Sequence, residues 1–178
     1  MRVITGTARG RRLKEPAGFD IRPTTDQVKE AMFNIVQFDI EGRRVLDLFG
    51  GTGQLGIEAA SRGAGSVTIV DQSRDAVKLI KENVKTCGLN IQVVQGDSMS
   101  FLEHCGKFDL IFIDPPYDSA LAEKALRRIK EIDILSEGGI IICETRRETE
   151  LPQLDAPYAN RREYRYGKVR LTVYAKES

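Results

Sequence analysis

The chain of 178 residues has the length of one domain, and its 41% hydrophobic and 30% charged residues are typical of a folded globular protein. The longest apolar runs, residues 110–113 and 140–143, are far shorter than the about 20 residues of a membrane span, and no apolar signal core follows the N-terminus. Three cysteines without a C-x-x-C spacing and a single histidine, His104, disfavour a disulfide framework, a structural metal site or a Ser-His-Asp triad. We therefore expect a monomeric, cytoplasmic protein without a bound metal.

The net charge of +1 conceals an uneven distribution. Residues 1–44 hold nine Lys and Arg against six Asp and Glu, residues 45–144 hold ten against fifteen, and residues 145–178 hold eight against five. Basic ends around an acidic middle indicate contact with a polyanion at the ends, although an ordinary solvated surface explains the same runs. The basic residues cluster in two stretches, which are Arg9, Arg11, Arg12 and Lys14, then Arg161, Arg162, Arg165, Lys168 and Arg170.

The first predicted elements are a short basic hairpin and a helix. The hairpin spans residues 2–15 and turns near residues 8–10. Thr24 and Gln27 fit a capping box, which predicts that a helix begins there. The apolar face of this helix is predicted to be Val28, Met32, Ile35 and Val36.

From residue 43 onward, short β-rich segments alternate with helical patterns. Five strands are predicted, over residues 44–48, 66–70, 91–95, 108–113 and 139–144. Helices are predicted from the turn after the first strand to about residue 62, from residue 73, and over residues 119–130. This alternation indicates a mostly parallel sheet with helices on both faces. Two final strands, over residues 161–166 and 169–175, predict an antiparallel ending and a total of seven strands.

A Gly-rich turn follows the first of these strands. Residues 51–56 form a G-x-G-x-x-G pattern, and Asp71 follows the next strand, 20 residues after Gly51. Glycines allow close approach of a ligand, and a carboxylate at this distance can accept both ribose hydroxyls. Asp47 before the turn would repel a pyrophosphate but attract the ammonium of S-adenosylmethionine, and Asp97 can accept from an adenine amino group. Strand-end turns and helix caps are the alternative explanation. Acids at the carboxyl ends of three successive strands converge on the crevice where such sheets bind ligands, and this favours a binding site.

The most specific signal is the turn Asp114-Pro115-Pro116-Tyr117, which follows a buried strand. Because proline has no N–H, the carbonyls of this stiff turn face a site without competing donors. Asp114 and the Pro115 carbonyl can then accept hydrogen bonds from an exocyclic amine, while Tyr117 stacks on the base, an interaction of about 1–3 kcal/mol. An Asp N-cap followed by proline at the first helical position is the alternative explanation.

These motifs resemble those of a known family. Residues 47–53 with 55–59 resemble the cofactor turn, and residues 114–117 the catalytic turn, of the bacterial small-subunit (16S) ribosomal RNA guanine-N2 methyltransferases, the RsmD-like group. Residues 21–34 are more discriminating, because they resemble the segment ahead of the sheet in that family. Lys29 stands where the family usually has arginine, Gly50 where it has alanine, and Gln54 where it has a small residue.

The resemblance implies a Rossmann-like, class I S-adenosylmethionine-dependent methyltransferase fold and methylation of a guanine amine in ribosomal RNA. It implies two parts, an N-terminal extension over residues 1–42 that contacts RNA and covers the cofactor, and a methyltransferase domain over residues 43–178. Catalysis would fall to Asp114, Pro115, Pro116 and Tyr117. The predicted cofactor-binding residues are Asp47, Phe49, Gly50, Gly51, Gly53, Leu55, Asp71, Gln72, Asp97 and Ser98. The predicted RNA-binding residues are Arg9, Arg11, Arg12, Arg22 and Thr24.

Three other functions remain open at this stage. Methylation of the adenine N6 amine in DNA or RNA uses the same kind of catalytic turn, although the chain has no obvious separate DNA-recognition domain. A dinucleotide-binding oxidoreductase explains the glycines and Asp71 but gives residues 114–117 no role. A non-catalytic RNA-binding module would not need the intact catalytic turn.

Overall fold

The computed structural model describes residues 1–17, 24–116 and 120–178, and this part of the chain forms five helices and seven strands. The helices are α1 (Asp26–Ile35), α2 (Gln54–Ser61), α3 (Arg74–Cys87), α4 (Ser98–Leu102) and α5 (Leu121–Ile132). The strands are β1 (Arg44–Asp47), β2 (Ser66–Asp71), β3 (Gln92–Gln95), β4 (Phe108–Ile113), β5 (Leu135–Arg146), β6 (Asn160–Tyr166) and β7 (Val169–Ala175).

All seven strands belong to one sheet, in the order β3-β2-β1-β4-β5-β7-β6. The first five strands of the chain pair in parallel, and β7 pairs antiparallel with both β5 and β6. The two-residue turn at Gly167 and Lys168 joins β6 to β7, and Gly167 has a φ of 57°. The mostly parallel sheet with an antiparallel ending is thus confirmed.

Alternation along the buried strands creates a core on each face of the sheet. On β4, Leu110 and Phe112 pack into one core, and Ile111 and Ile113 pack into the other. Successive side chains of a strand point to opposite faces, so a strand buried on both faces is apolar throughout. Helices α1, α2 and α3 supply apolar side chains to the first core, whereas α4 and α5 supply them to the second.

Two local features differ from the sequence prediction. The N-cap of α1 is Thr25, whose side chain accepts a hydrogen bond from the backbone N–H of Val28, so the prediction of Thr24 and Gln27 as a capping box is wrong. Thr24 instead uses its hydroxyl to contact two carboxyl groups. The short helix α4, capped by Asp97, was not predicted, because five residues are too few for a periodic pattern.

The N-terminal hairpin is present and is bound to α2. Arg2 and Arg12 form an antiparallel bridge. The two carboxylate oxygens of the fully buried Glu58 accept hydrogen bonds from the backbone N–H groups of Ile4 and Thr5, at 2.8 and 3.0 Å. Lys29 lies 3.4 Å from the same carboxylate. The division at residue 42 stays a prediction about function, since the hairpin and the sheet share one core.

No helix among the described residues is long and apolar enough to cross a membrane. Within the same ranges, no group of three or more His, Cys, Asp or Glu side chains is placed to hold a metal ion.

Candidate active site

A cavity of about 630 Å³ opens at the carboxyl ends of the parallel strands. This is the edge at which open α/β sheets bind ligands. Eleven of the predicted cofactor-binding and catalytic residues line the cavity, namely Phe49, Gly50, Gly51, Leu55, Asp71, Gln72, Asp97, Ser98, Asp114, Pro115 and Pro116. The predicted cofactor turn and the predicted catalytic turn therefore face the same space.

The Gly-rich turn between β1 and α2 needs glycine for two separate reasons. Gly51 and Gly53 have φ values of 59° and 82°, a region that other residues rarely adopt. Gly50 has no space for a side chain, because a Cβ atom there would lie 2.4 Å from the Cγ2 atom of Ile69. Ile69 and Ile80 approach the backbone of Gly50 so closely that glycine, and not the alanine usual in the family, fits at this position.

Asp71, at the end of β2, holds this turn. Its Oδ2 accepts a hydrogen bond from the backbone N–H of Gly51 at 2.9 Å. Its Oδ1 accepts one from the backbone N–H of Ser73, the N-cap of α3, also at 2.9 Å. Each carboxylate oxygen has a second lone pair, so Asp71 can still accept hydrogen bonds from a ligand in the cavity.

Asp97 and Ser98 lie after β3. Asp97 is exposed and caps α4 by accepting a hydrogen bond from the backbone N–H of Ser100. Ser98 is buried, and its hydroxyl donates to the carbonyl of Leu48 at 2.7 Å, which joins the end of β3 to the end of β1. The helix-cap explanation of Asp97 is thus correct in part, although the residue also lines the cavity.

Asp47 is buried beneath the Gly-rich turn and does not line the cavity. Its Oδ2 accepts a hydrogen bond from the backbone N–H of Gly56, in the first turn of α2. Its Oδ1 is also buried and has no hydrogen-bond partner in the described part of the chain. Burial raises the pKa of Asp47 to about 7, with a smaller contribution from the charge of Asp71.

The predicted catalytic turn begins with Asp114, whose carboxyl group has unusual surroundings. Asp114 follows β4, and its Oδ2 lies 3.1 Å from the hydroxyl oxygen of Thr24. The same hydroxyl oxygen lies 3.0 Å from Oε2 of Glu144 on the adjacent strand β5. Burial, followed by the negative charge of Glu144, raises the pKa of Asp114 well above its usual range.

Sequence reasoning missed Glu144 and gave no sign that Thr24 would lie beside it; the RNA-binding role of Thr24 stays a prediction. Glu144 follows Cys143, which pairs with Ile113 in the register of β4 and β5, so Glu144 lies beside Asp114. An acid near the carboxyl end of a strand next to the catalytic turn was the signal that could have identified it. Thr24, predicted to bind RNA, is 7% exposed and lines the cavity. Gln54 also lines the cavity, and its amide donates to the Thr24 carbonyl at 3.3 Å.

The other predicted residues either do not line the cavity or are not among the residues that the structure describes. Arg9, Arg11 and Arg12 are exposed on the N-terminal hairpin. Tyr117 and Arg22 lie outside the described residues. In the C-terminal basic stretch, three arginines surround one carboxylate, that of Glu163, and these are Arg161, Arg165 and Arg170.

Fold and site together define a class I S-adenosylmethionine-dependent methyltransferase. A dinucleotide-binding fold has the strand order 3-2-1-4-5-6, whereas here the antiparallel β7 lies between β5 and β6. The chain belongs to the family described as Conserved hypothetical protein 95, whose model matches residues 1–175. This match and the relatives below confirm the resemblance to the RsmD-like group.

Relatives and solved structures are similar over nearly the whole chain. YlbH of Bacillus subtilis is 41% identical and covers 99% of both chains. Ribosomal RNA small subunit methyltransferase D of Escherichia coli K12 is 34% identical over 100% of this chain and 91% of its own. The structure of yhhF from Escherichia coli has 35% identity and a TM-score of 0.88, covering 99% of this chain and 98% of its own. A structure of a Thermus thermophilus protein has 29% identity and a TM-score of 0.85, covering 100% of this chain and 99% of its own.

Proposed function

We propose that this protein transfers the methyl group of S-adenosylmethionine to the exocyclic N2 amine of a guanine in small-subunit ribosomal RNA. The observation that carries the proposal is the single cavity that both the Gly-rich turn and the Asp114-Pro115-Pro116 turn line. A donor bound on the first turn would face an amine bound on the second. The name of the Escherichia coli relative, a small-subunit ribosomal RNA methyltransferase, supports the choice of substrate.

Three acids and one amide would hold the cofactor. Asp97 is placed to accept from the adenine amino group, and Asp71 from the ribose hydroxyls, as open α/β sheets commonly bind a nucleoside. Gln54 is 4% exposed, lines the cavity and has no hydrogen-bond partner for its Oε1 among the described residues. An ammonium group supplies the missing donors, so the methionine end fits beside Gln54. Asp47 does not line the cavity, so its contribution to binding the methionine end would be electrostatic and not a direct contact.

The catalytic turn would bind the target amine. Asp114 and the carbonyl of Pro115 can accept its two N–H bonds, and this directs the nitrogen lone pair toward the methyl group. Pro115 and Pro116 have no N–H groups of their own to compete for these acceptors. Tyr117 stays the predicted stacking partner of the base.

Bound S-adenosylmethionine supplies an electrophilic methyl group on a sulfonium. Transfer forms an N–C bond and breaks the C–S bond, whose electron pair stays on sulfur, and the amine nitrogen then loses one proton. No base is required before transfer, because the methylated amine is a cation and a strong acid. Asp114 is the nearest predicted acceptor for that proton.

Contact with RNA would come from the exposed arginines of the N-terminal hairpin. Arg9, Arg11 and Arg12 can neutralise phosphates, and such contacts give affinity without base specificity. We assign residues 1–42 this RNA-binding role and expect the protein to act as a monomer without a metal. A ribosomal RNA substrate agrees with the cytoplasmic location predicted from the sequence.

The test is transfer of label from S-adenosylmethionine to small ribosomal subunits that lack the modification, followed by digestion to nucleosides. Label in N2-methylguanosine is expected, and label in N6-methyladenosine would instead show an adenine methyltransferase. Naked small-subunit RNA, tested in parallel, decides whether the substrate is free or assembled. Absence of label on both, with folded protein that binds the cofactor, would refute the proposal.

A further inference from the structure

The hydroxyl of Thr24 lies between two carboxyl groups that line the cavity. Its oxygen is 3.1 Å from Oδ2 of Asp114 and 3.0 Å from Oε2 of Glu144. Thr24 is 7% exposed and Glu144 is 4% exposed. The arrangement is built by the fold, because β4 and β5 run parallel with Ile113 opposite Cys143.

Counting protons shows that these contacts require one more hydrogen than Thr24 has. A threonine hydroxyl carries one hydrogen and can donate to only one acceptor, whereas an ionised carboxylate can only accept. If both acids were ionised, one of the two contacts would place an oxygen lone pair against another. Both contacts become hydrogen bonds when one carboxyl is protonated and donates to Thr24, which then donates to the other carboxylate.

The two acids differ in their surroundings. Asp114 is half-buried and begins the catalytic turn, whereas Glu144 is buried beside Thr24. Because burial disfavours the charged form of both acids, the pair retains one proton. We propose that Glu144 is a positioning residue that shares this one proton with Asp114 through the hydroxyl of Thr24, so that Thr24 holds Asp114 in place as an acceptor facing the target amine.

The charged groups around the pair favour a single negative charge. Glu144 on β5 and Asp47 at the end of β1 are the acids that act on Asp114, and both raise its pKa. Beyond Glu144, a small cleft is lined by Glu123, Arg146 and Glu150. Two acids this close titrate as a pair, in which one proton is retained to a higher pH than either acid alone would retain it.

This inference rests on the proposed function for its consequence in the reaction. The pair would enter the reaction with one negative charge, which stabilises the positive charge that develops on the amine nitrogen. Asp114 would then accept the proton that the nitrogen loses, and the pair would become neutral before the proton passes to water. Glu144 would not touch the amine, and would act through Thr24 and through its charge beside Asp114.

The direct test needs neither cofactor nor RNA. In protein labelled with carbon-13 at the side-chain carboxyls of Asp and Glu, one signal of the pair is expected to titrate well above the usual range of a carboxyl group. In Glu144→Gln, the Asp114 signal is expected to titrate lower by about one pH unit or more. Glu131→Gln, on an exposed acid of α5, is the matched control. Titration of both acids within the usual carboxyl range in the wild type, or an unchanged Asp114 signal in Glu144→Gln, would overturn the inference.

A pH–rate profile then tests the effect on the reaction. Wild-type activity is expected to fall at alkaline pH as the pair loses its proton, and Glu144→Gln should lack this fall, because an amide N–H does not dissociate there. Thr24→Val should lower kcat by about tenfold with cofactor affinity retained, and Thr24→Ser should restore it. An identical alkaline fall in the glutamine variant contradicts the inference. Failure of the wild type to methylate RNA would count against the proposed function, while the titration still decides the inference.

Discussion

Asp71 and Gly51 connect two strand ends of the sheet, since Oδ2 of Asp71 accepts a hydrogen bond from the backbone N–H of Gly51 at 2.9 Å. The other oxygen of Asp71 accepts from Ser73 at the start of α3. A single side chain thus sets both the Gly-rich turn and the next helix, on the cavity edge where we place the ribose. The first prediction follows from this double contact.

Asp71→Asn should weaken cofactor binding. Asparagine has one acceptor oxygen, so it cannot accept from Gly51, Ser73 and a ribose as a carboxylate can. We expect the Kd for S-adenosylhomocysteine, measured by calorimetry, to rise by about ten- to a hundredfold, the effect of hydrogen bonds to a charged group. Asp75→Asn, an exposed acid on α3, should leave Kd unchanged. Equal affinities for wild type and Asp71→Asn would contradict the assignment.

Asp114→Asn should separate catalysis from binding. The asparagine amide places a donor where the target amine needs an acceptor, so kcat should fall by at least about a hundredfold. The Kd for S-adenosylhomocysteine should change by less than about twofold, because the cofactor is held mainly by other residues. Asp155→Asn, on an exposed acid, is the control. An active Asp114→Asn enzyme would refute the role of the catalytic turn.

Arg9, Arg11 and Arg12 should provide part of the salt-dependent affinity for RNA. Replacement of all three by glutamine removes up to three phosphate contacts, so the slope of log K against log salt should decrease by about 2. The control replaces three cations of α5, Lys124, Arg127 and Lys130, by glutamine. An equal loss in both triple variants would show that RNA binding depends on net charge alone.

Asp47→Asn should change the pH dependence of stability. The pKa of Asp47 is raised to about 7, so the folded protein retains a proton that the unfolded chain loses above about pH 4. The free energy of unfolding therefore decreases by up to about 4 kcal/mol as the pH rises from about 4 to 7. Asparagine has no such proton and can still accept from Gly56.

Denaturant unfolding of wild type and Asp47→Asn at several pH values measures this difference. The advantage of Asp47→Asn in the free energy of unfolding should be small near pH 4 and largest above pH 7. A pH-independent difference would mean that Asp47 is already ionised in the folded protein.

Gly50→Ala should destabilise the chain although the family usually has alanine at this position. The new Cβ would lie 2.4 Å from Ile69 and 3.0 Å from Ile80, and such overpacking costs about 1–3 kcal/mol. Gly106→Ala is the control, because a Cβ there meets no atom within 4 Å. Thermal unfolding measures both variants, and equal midpoints would show that the turn adjusts freely.

The parallel sheet was predictable because each of its strands is a short apolar segment with a turn signal after it. The strand from Phe108 to Ile113 matched its predicted bounds, as did the strand from Val169 to Ala175. Acids placed immediately after strands were predictable as site residues for the same reason, since parallel strands end at one edge.

Contacts between distant segments were not predictable. Thr24 has the spacing of a helix cap, and only the folded chain shows that Thr25 takes this position while Thr24 contacts Asp114 and Glu144. Glu144 lies near the carboxyl end of β5, and this position is the one sign of a site that the sequence gives for it. Its importance depends on the pairing of β5 with β4, and one sequence does not specify which strands are adjacent.

The attachment of the N-terminal hairpin to Glu58 has a consequence for mutational tolerance. Glu58 binds Ile4 and Thr5 through their backbone N–H groups, which every residue except proline possesses. Most substitutions at these two positions therefore leave the attachment intact, whereas proline at either one removes a donor from a buried carboxylate. The sequence of the exposed hairpin surface can thus vary while the attachment of the hairpin to α2 is preserved.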